Sequence, residues 1–471
     1  MMRFSRHGLH GLDQALERAF EILPGAISWT ILVGMVLLSF WKPRLAAVLV
    51  IAFDLYWLLR LCYMTVLLVL SYARLARERQ TDWMARARAL QDARHDGPTP
   101  PRLEEIHHLV IIPIATESRE VYESGIQSLI HQPWPSRRIM VVLAVEGRSA
   151  SHIHDQARAV QQQYRDSFLE CLVSVHPDGL PGEARVKGAN VTYAAKAAAA
   201  ALQRLGIPFE HVVLSCFDAD TVVSPSYFSC LTYTFMATPE RTRASFQPIP
   251  VYHNNIWNVP GFARVLDVGS SFFQLIEAAN PESLVTFSSH SMSFQALVEI
   301  GYWPVDLISD DSAIFWKAFL HYEGAYQVVP LYVTVSMDVA ASASWRKTVL
   351  NVYRQKRRWA WGVENFPIVM RGFLRSRAIP LRLKLRHAFK LFESHVAWAT
   401  WPFLLGIIGW IPAWWAGREF SSSVVFYTAP RIATAIFQLS SIGLLTTIVL
   451  SLSLLPRPPA KWFWLKQLGY T

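Results

Sequence analysis

Four apolar stretches bracket a polar centre, and they constrain the fold more than any other feature of this sequence. They run from about Ile27 to Trp41, Leu45 to Leu70, His395 to Trp415 and Ile432 to Leu455. A helix needs about 20 mostly apolar residues to cross a bilayer core, and all but the first reach that length comfortably. The first reads as spanning because its partner follows across the tight turn Lys42-Pro43-Arg44. A cleaved signal peptide is the alternative, but no small-x-small cleavage site precedes the second stretch. Charged residues make up only 17% of the 471, and AVILMFWYC make up 52%. Soluble domains usually carry about 25% charge, and the deficit lies at the two ends. Four spans are expected.

Basic flanks set the orientation. Arg74, Arg77, Arg79, Arg86, Arg88 and Arg94 follow the second stretch, and Arg371, Arg375, Arg377, Arg382, Lys384, Arg386 and Lys390 precede the third. The N-terminus (Arg3, Arg6, Arg18) and the tail (Arg457, Lys461, Lys466) have the same sign. Short Lys/Arg-rich flanks stay cytoplasmic. The expectation is a multi-pass protein of a bacterial-type inner (plasma) membrane whose large central part is cytosolic. The net charge of +10 is then directed at membrane lipids, since juxtamembrane basic residues meet anionic head groups. No basic stripe interleaved with aromatics calls for nucleic acid. Cys62, Cys171, Cys216 and Cys230 form no C-x-x-C pair, so they read as packing residues and not as zinc or redox motifs.

The centre has a different texture. After the Pro-rich break at residues 96–101, short apolar runs at 108–113, 139–145 and 211–217 alternate with helical stretches. Buried parallel strands look like this, and the alternation predicts an α/β domain with a mostly parallel sheet. Ligands of such sheets bind beyond the carboxyl ends of the strands. Thr116, Glu117, Glu146, Asp218 and Asp220 stand there. Residues 344–390 are rich in Trp and Arg at helical spacing, as in helices that lie along a membrane interface. The expected divisions are 1–72 (cytosolic N-terminus and two spans), 73–104 (basic linker), 105–343 (α/β domain), 344–390 (interfacial helices), 391–456 (two spans) and 457–471 (cytosolic tail).

Three motifs carry chemistry. Asp218-Ala219-Asp220 ends an apolar strand. Two carboxylates so spaced suit Mg²⁺ or Mn²⁺ held together with substrate phosphates, or else a turn with two solvated aspartates. Ser309-Asp310-Asp311 precedes a helix-like run, where a carboxylate can act as an acid or base or can simply cap the helix. Gln355-Lys356-Arg357-Arg358-Trp359 offers an arginine for diphosphate and a tryptophan for a sugar face, or an interfacial Arg/Trp pair.

In this order, between membrane segments, the three motifs resemble the membrane-bound family 2 glycosyltransferases, relatives of cellulose, hyaluronan and chitin synthases. The resemblance covers about Leu109 to Gly362. It implies a Rossmann-like GT-A domain for a nucleotide-sugar, inserted between transmembrane helix pairs. Residues 110–117 are similar to the family's opening strand and keep Glu117. Glu146 stands where an Asp reads the nucleobase, and Arg185 to Asn190 resembles a Lys-rich segment that puts Lys187 beside the nucleotide. Residues 286–291 match an acceptor-side segment, here without its Gly. The implied roles are Asp311 as general base in one inverting displacement and a metal on Asp220, assisted by Asp218. Arg358 then neutralises the leaving diphosphate, while Trp359 and Gln355 shape the acceptor end. Thr116, Glu117, Glu146, Lys187 and Asp218 face the donor, for which a UDP-sugar is favoured. The acceptor is a lipid or a growing glycan, with a partner subunit or homo-oligomer completing any channel.

Asp54 and Arg60 lie inside the second stretch. Six residues apart, they are not helical neighbours, so separate partners on other helices are expected, with transport as another reading. His253, Asn254, Asn255 and Trp257 form a cluster suited to a sugar or to the membrane. Competing functions are transfer of a single sugar and, from another class, a non-catalytic scaffold of a polysaccharide export complex. A phosphate-loop ATPase is excluded because no G-x-x-x-x-G-K-[ST] occurs.

Overall fold

The computed structural model describes residues 4–6, 8–92, 100–342, 344–415 and 418–457. Arg3, Arg94, most of the Pro-rich break (96–99), Lys461 and Lys466 lie outside the described residues.

Helices α1 (Leu12–Trp41) and α2 (Pro43–Glu78) meet at Lys42. Pro43 opens α2, where its missing N–H and fixed φ suit a first helical turn. Helix α3 (Trp83–Asp92) follows. The stretch expected as a basic linker is therefore partly domain, because Trp83 and Ala87 are buried in the core beneath the sheet. The Trp83 ring lies 5.4 Å from that of Tyr233.

The α/β domain then runs β1 (His107–Ile114), α4 (Arg119–Ile130), β2 (Ile139–Glu146), α5 (Ser151–Tyr164), β3 (Glu170–His176), α6 (Lys187–Arg204) and β4 (Val212–Cys216). It continues with β5 (Val222–Val223), α7 (Tyr227–Ala237), β6 (Ala244–Val251), α8 (Gly261–Ala278), β7 (Ser291–Ser293), α9 (Phe294–Glu299), α10 (Asp310–His321) and β8 (Gln327–Ser336). One eight-stranded sheet has the order β3-β2-β1-β4-β7-β6-β8-β5. The β3-β2-β1-β4 half is parallel, as expected. The other half is mixed. β7 pairs antiparallel to both β4 and β6, while β8 lies parallel to β6 and antiparallel to β5.

Alternation along the strands divides the core. Val110, Ile112 and Ile114 enter the layer under α4, α5 and α7, and Leu109 and Ile111 enter the layer under α6 and α10. On α6, Ala194, Ala195 and Ala198 are fully buried, and their small side chains let the helix lie close to the sheet.

Beyond β8 come α11 (Trp345–Ala360), α12 (Asn365–Arg375), α13 (Leu381–Gly406), α14 (Ile411–Trp415), α15 (Arg418–Ser421) and α16 (Val424–Leu454). Trp345 and Tyr353 of α11 are exposed. Helix α12 is different. Residues 365–373 are buried against the domain, against the expectation of an interfacial helix throughout 344–390. Its Arg371 reaches Glu17 of α1 at 3.2 Å and donates to the Ser5 carbonyl at 2.9 Å, so the N-terminal helix is fastened to the domain.

Among the described residues, α1, α2 and α16 are each long and apolar enough to cross a membrane. The α13–α14 pair, bent by 44°, makes a fourth if it counts as one span. Only 11% of the apolar window of α16 is buried in the protein. The rest faces outward and calls for lipid, as befits a membrane protein.

Candidate active site

Strand β1 is flanked by β2 on one side and β4 on the other, and the crevice at their carboxyl ends is where an open α/β sheet receives a ligand. β4 is buried along its length and delivers Asp218 to that crevice. Lys187, the first residue of α6, reaches into it from the side. Gly188 makes this approach possible: a Cβ there would collide with the Pro304 carbonyl and lie 3.3 Å from the Asp310 Cβ.

The result is a compact charge cluster. The Lys187 ammonium donates to Asp218 Oδ1 at 2.9 Å and Asp311 Oδ1 at 2.8 Å, and lies 3.7 Å from Asp310 Oδ2. Burial disfavours its charge, but the three carboxylates outweigh burial and hold the ammonium well above its usual pKa. Burial also pushes Asp218 upward, but Lys187, a Ser288 hydroxyl bond and the positive charge of Arg358 bring it below the usual range. Asp310 is more enclosed, and burial, offset in part by Lys187 and reinforced by its acidic neighbours, raises it to about 7. Asp311 side-chain exposure is 27% against 6% for Asp310, so Asp311 is the carboxylate a substrate can reach.

Asp220 lies beside this cluster. Burial and the charge of Asp218 raise it to about 7, although its Oδ2 accepts the Asp338 N–H at 2.9 Å. Its backbone carbonyl accepts from Asn254 at 2.8 Å, which places one member of the polar-aromatic cluster against D-x-D. Asp220 has no basic partner among the described residues, and this half-buried pair of carboxylates fits a hard divalent ion.

The segment 286–291 closes the floor. Thr286 donates to the Asp311 carbonyl at 2.6 Å, and the Ser288 hydroxyl bonds Asp218. The Ser289 hydroxyl, 2.8 Å from that of Thr221, also accepts the Asp218 N–H at 3.3 Å. Ser289 has φ +58°, a left-handed conformation glycine adopts without strain. Its hydrogen bonds to Thr221 and the Asp218 N–H hold the serine in that conformation.

Helix α11 lies over the cluster. Trp359 meets the Phe287 ring at 5.9 Å. Lys356 sits 3.8 Å over the Trp359 ring and reaches the buried Asp267 of α8 at 2.9 Å. Gln355 is half-buried, and Arg358 is exposed with its charge felt at Asp218. The turn after α11 fixes the acidic pair, since Glu364 accepts from the Ser309 N–H and hydroxyl at 2.8 and 2.7 Å.

Thus the structure brings Lys187, Asp218 and Asp311 into direct contact, with Asp220, Arg358 and Trp359 around them. Thr116, Glu117 and Glu146 occupy the same strand-end edge and make no hydrogen bond to the cluster among the described residues. Glu117 accepts the Ala115 and Thr116 N–H groups at 2.7 and 2.9 Å, and Glu146 lies 3.2 Å from Arg148. Sequence reasoning named Ser288 and Ser289 only as part of the segment 286–291, without a bond to Asp218, and missed Asp338 and Glu364. Asp338 follows the end of β8, so the strand-end rule would have found it had β8 been recognised.

The fold is an α/β domain whose strand-end crevice gathers the carboxylates of Asp218, Asp310 and Asp311 around Lys187. Residues 213–452 match the family model described as glycosyl transferase family group 2. The chain belongs to that family. No curated protein matches it in sequence. Among solved structures, it is similar to the mannosyltransferase PcManGT from Pyrobaculum calidifontis in complex with GDP-Man and Mn²⁺. That pair shares 14% identity over 83% of this chain and 99% of the other, with a TM-score of 0.44. It is also similar to S. aureus TarS 1-349 (15%, 69% and 90%, TM-score 0.34) and to GalNAc-T7 with UDP, GalNAc and Mn²⁺ (12%, 62% and 57%, TM-score 0.32).

Proposed function

We propose that this glycosyltransferase moves a sugar from a nucleoside-diphosphate sugar to an acceptor hydroxyl in one inverting displacement. It does so on the cytosolic side of a bacterial-type inner membrane, in the synthesis of an extracellular or capsular polysaccharide. The observation that carries the reading is the convergence of Asp218 and Asp311 on the Lys187 ammonium, with Asp220 alongside.

Asp311 accepts the proton of the acceptor hydroxyl as its oxygen attacks the anomeric carbon. The bond to the diphosphate breaks, and the nucleoside diphosphate leaves with the charge that Arg358 and Lys187 meet. Asp218 and Asp220 would hold Mg²⁺ or Mn²⁺, which supplies further positive charge to the leaving diphosphate. Thr116, Glu117 and Glu146 line the donor side, for which a UDP-sugar is favoured, and Trp359 and Gln355 shape the acceptor end. Transfer of one sugar to a lipid or glycan is the second reading. The three or four spans among the described residues favour it, because a self-contained export channel built from them needs a partner subunit or a second copy.

The test is nucleoside diphosphate release by detergent-purified protein across a panel of nucleotide-sugars with Mg²⁺ or Mn²⁺ and lipid or glycan acceptors. The reading requires release from one donor, and a loss of about 100- to 10,000-fold in Asp311→Asn. Polymer or single-sugar product separates the two branches. Silence across the panel, or an Asp311→Asn variant as active as the parent, overturns it.

A further inference from the structure

A second cavity lies at the other end of the sheet from Asp218. It occupies about 790 Å³ and is bounded by the end of α2, the start of α3, α7, the first residues of β8 and the start of α13. That volume is in the range of small-molecule sites. Residues 327–331 line it, whereas the D-x-D site meets the far end of β8 at Asp338. At ~3.3 Å per strand residue, more than 20 Å separates the two.

Its walls divide by chemistry. Phe315, Phe319 and Leu331 form an apolar floor, and arginines form the rim. Arg74 is satisfied by Glu78 at 2.6 Å, and the other acid at the rim, Glu282, pairs with Arg386. Arg77 and Arg86 are left. Both are exposed, and neither has a carboxylate partner among the described residues. The Arg86 guanidinium instead lies 5.3 Å from the Trp83 ring and 5.2 Å from the Tyr233 ring, which fixes it over the cavity mouth. The cavity opens just beyond the apolar part of α2, where a lipid head group would sit.

We propose that this cavity binds the phosphate-bearing head group of an anionic membrane lipid. Arg77 and Arg86 clasp the phosphate, and the lipid's apolar part lies against the aromatic floor. Two uncompensated arginines give the anion its place, and the apolar floor together with the height on α2 selects a lipid over a soluble phosphate. The assignment stands on the cavity alone, independently of the donor and acceptor proposed above.

The experiment uses the full-length protein in nanodiscs of phosphatidylcholine with or without phosphatidylglycerol, with retained lipid counted by native mass spectrometry. Preferential retention of phosphatidylglycerol is expected, reduced roughly thirtyfold in Arg77→Ala/Arg86→Ala, since each basic residue near a membrane surface contributes comparably. Arg77→Lys/Arg86→Lys keeps most of it. Arg158→Ala, at a distant exposed position of α5, leaves it unchanged. Equal thermal midpoints for parent and double alanine variant exclude unfolding as the cause. Retention unaffected by the double alanine change overturns the proposal. So does full displacement by millimolar glycerol phosphate, which would assign the cavity to a soluble phosphate.

Discussion

At the scale of single residues, the charge on Lys187 is what allows three carboxylates to share so small a space. Removing a buried cation leaves its partners uncompensated, at about 3–5 kcal/mol. Lys187→Met is therefore expected to lower the thermal midpoint of the detergent-solubilised protein sharply, and Asp310→Asn in the same chain should restore part of it. No restoration would mean that Lys187 acts through packing alone. His108 gives the pH counterpart. It is fully buried in β1, 2.9 Å from the Thr232 hydroxyl, and burial lowers its pKa to about 3 from an ordinary 6.5. The unfolded chain binds the proton first, so this stability is complete above about pH 6.5 and is lost as pH falls towards 3. Between pH 6.5 and 5 the loss is at most about 2 kcal/mol. A midpoint-versus-pH curve that is flatter in His108→Gln over that window is the expected result.

At the scale of elements, two contacts place the chemistry. The start of α6 comes close to the turn before α10 only because residue 188 lacks a side chain. Gly188→Ala should displace Lys187 from the acids and reduce kcat at least tenfold with a smaller change in donor KM, since a displacement of about 1 Å can cost far more. An unchanged kcat would show that the helix can shift at no expense. Helix α11 is fastened by the Lys356–Asp267 bond. Lys356→Met should weaken acceptor use more than donor hydrolysis, measured as product formed per nucleoside diphosphate released. Neither contact was legible beforehand. Gln355, Arg358 and Trp359 stand out by their spacing, but nothing local to Lys356 marks it, because Asp267, which orients it, lies on a distant helix.

At the scale of the whole molecule, membrane helices and α/β domain form one body. Arg60, placed by sequence in a span with a partner sought elsewhere, bonds Glu393 of α13, and the Tyr56 hydroxyl accepts from it at 2.8 Å. Asp54 of the same helix is buried, with Oδ1 unpaired among the described residues. In an Arg60→Leu and Glu393→Leu cycle, each single change should destabilise more than the pair, read as thermal midpoints. Additive effects would show that the ion pair couples nothing. The sequence by itself determined the apolar segments and the parallel half of the sheet, and it singled out the acidic, basic and aromatic residues proposed for the site. Those signals are local, carried by hydrophobic period and by residues adjacent in the chain. Only the tertiary structure decided that β5–β8 complete the sheet in mixed directions, that α12 is buried, and that Ser288, Ser289 and Glu364 hold the carboxylates. Short strands such as β5 and β7 carry too few residues to show a period, and hydrogen bonds between residues far apart in the chain depend on packing that no local pattern encodes.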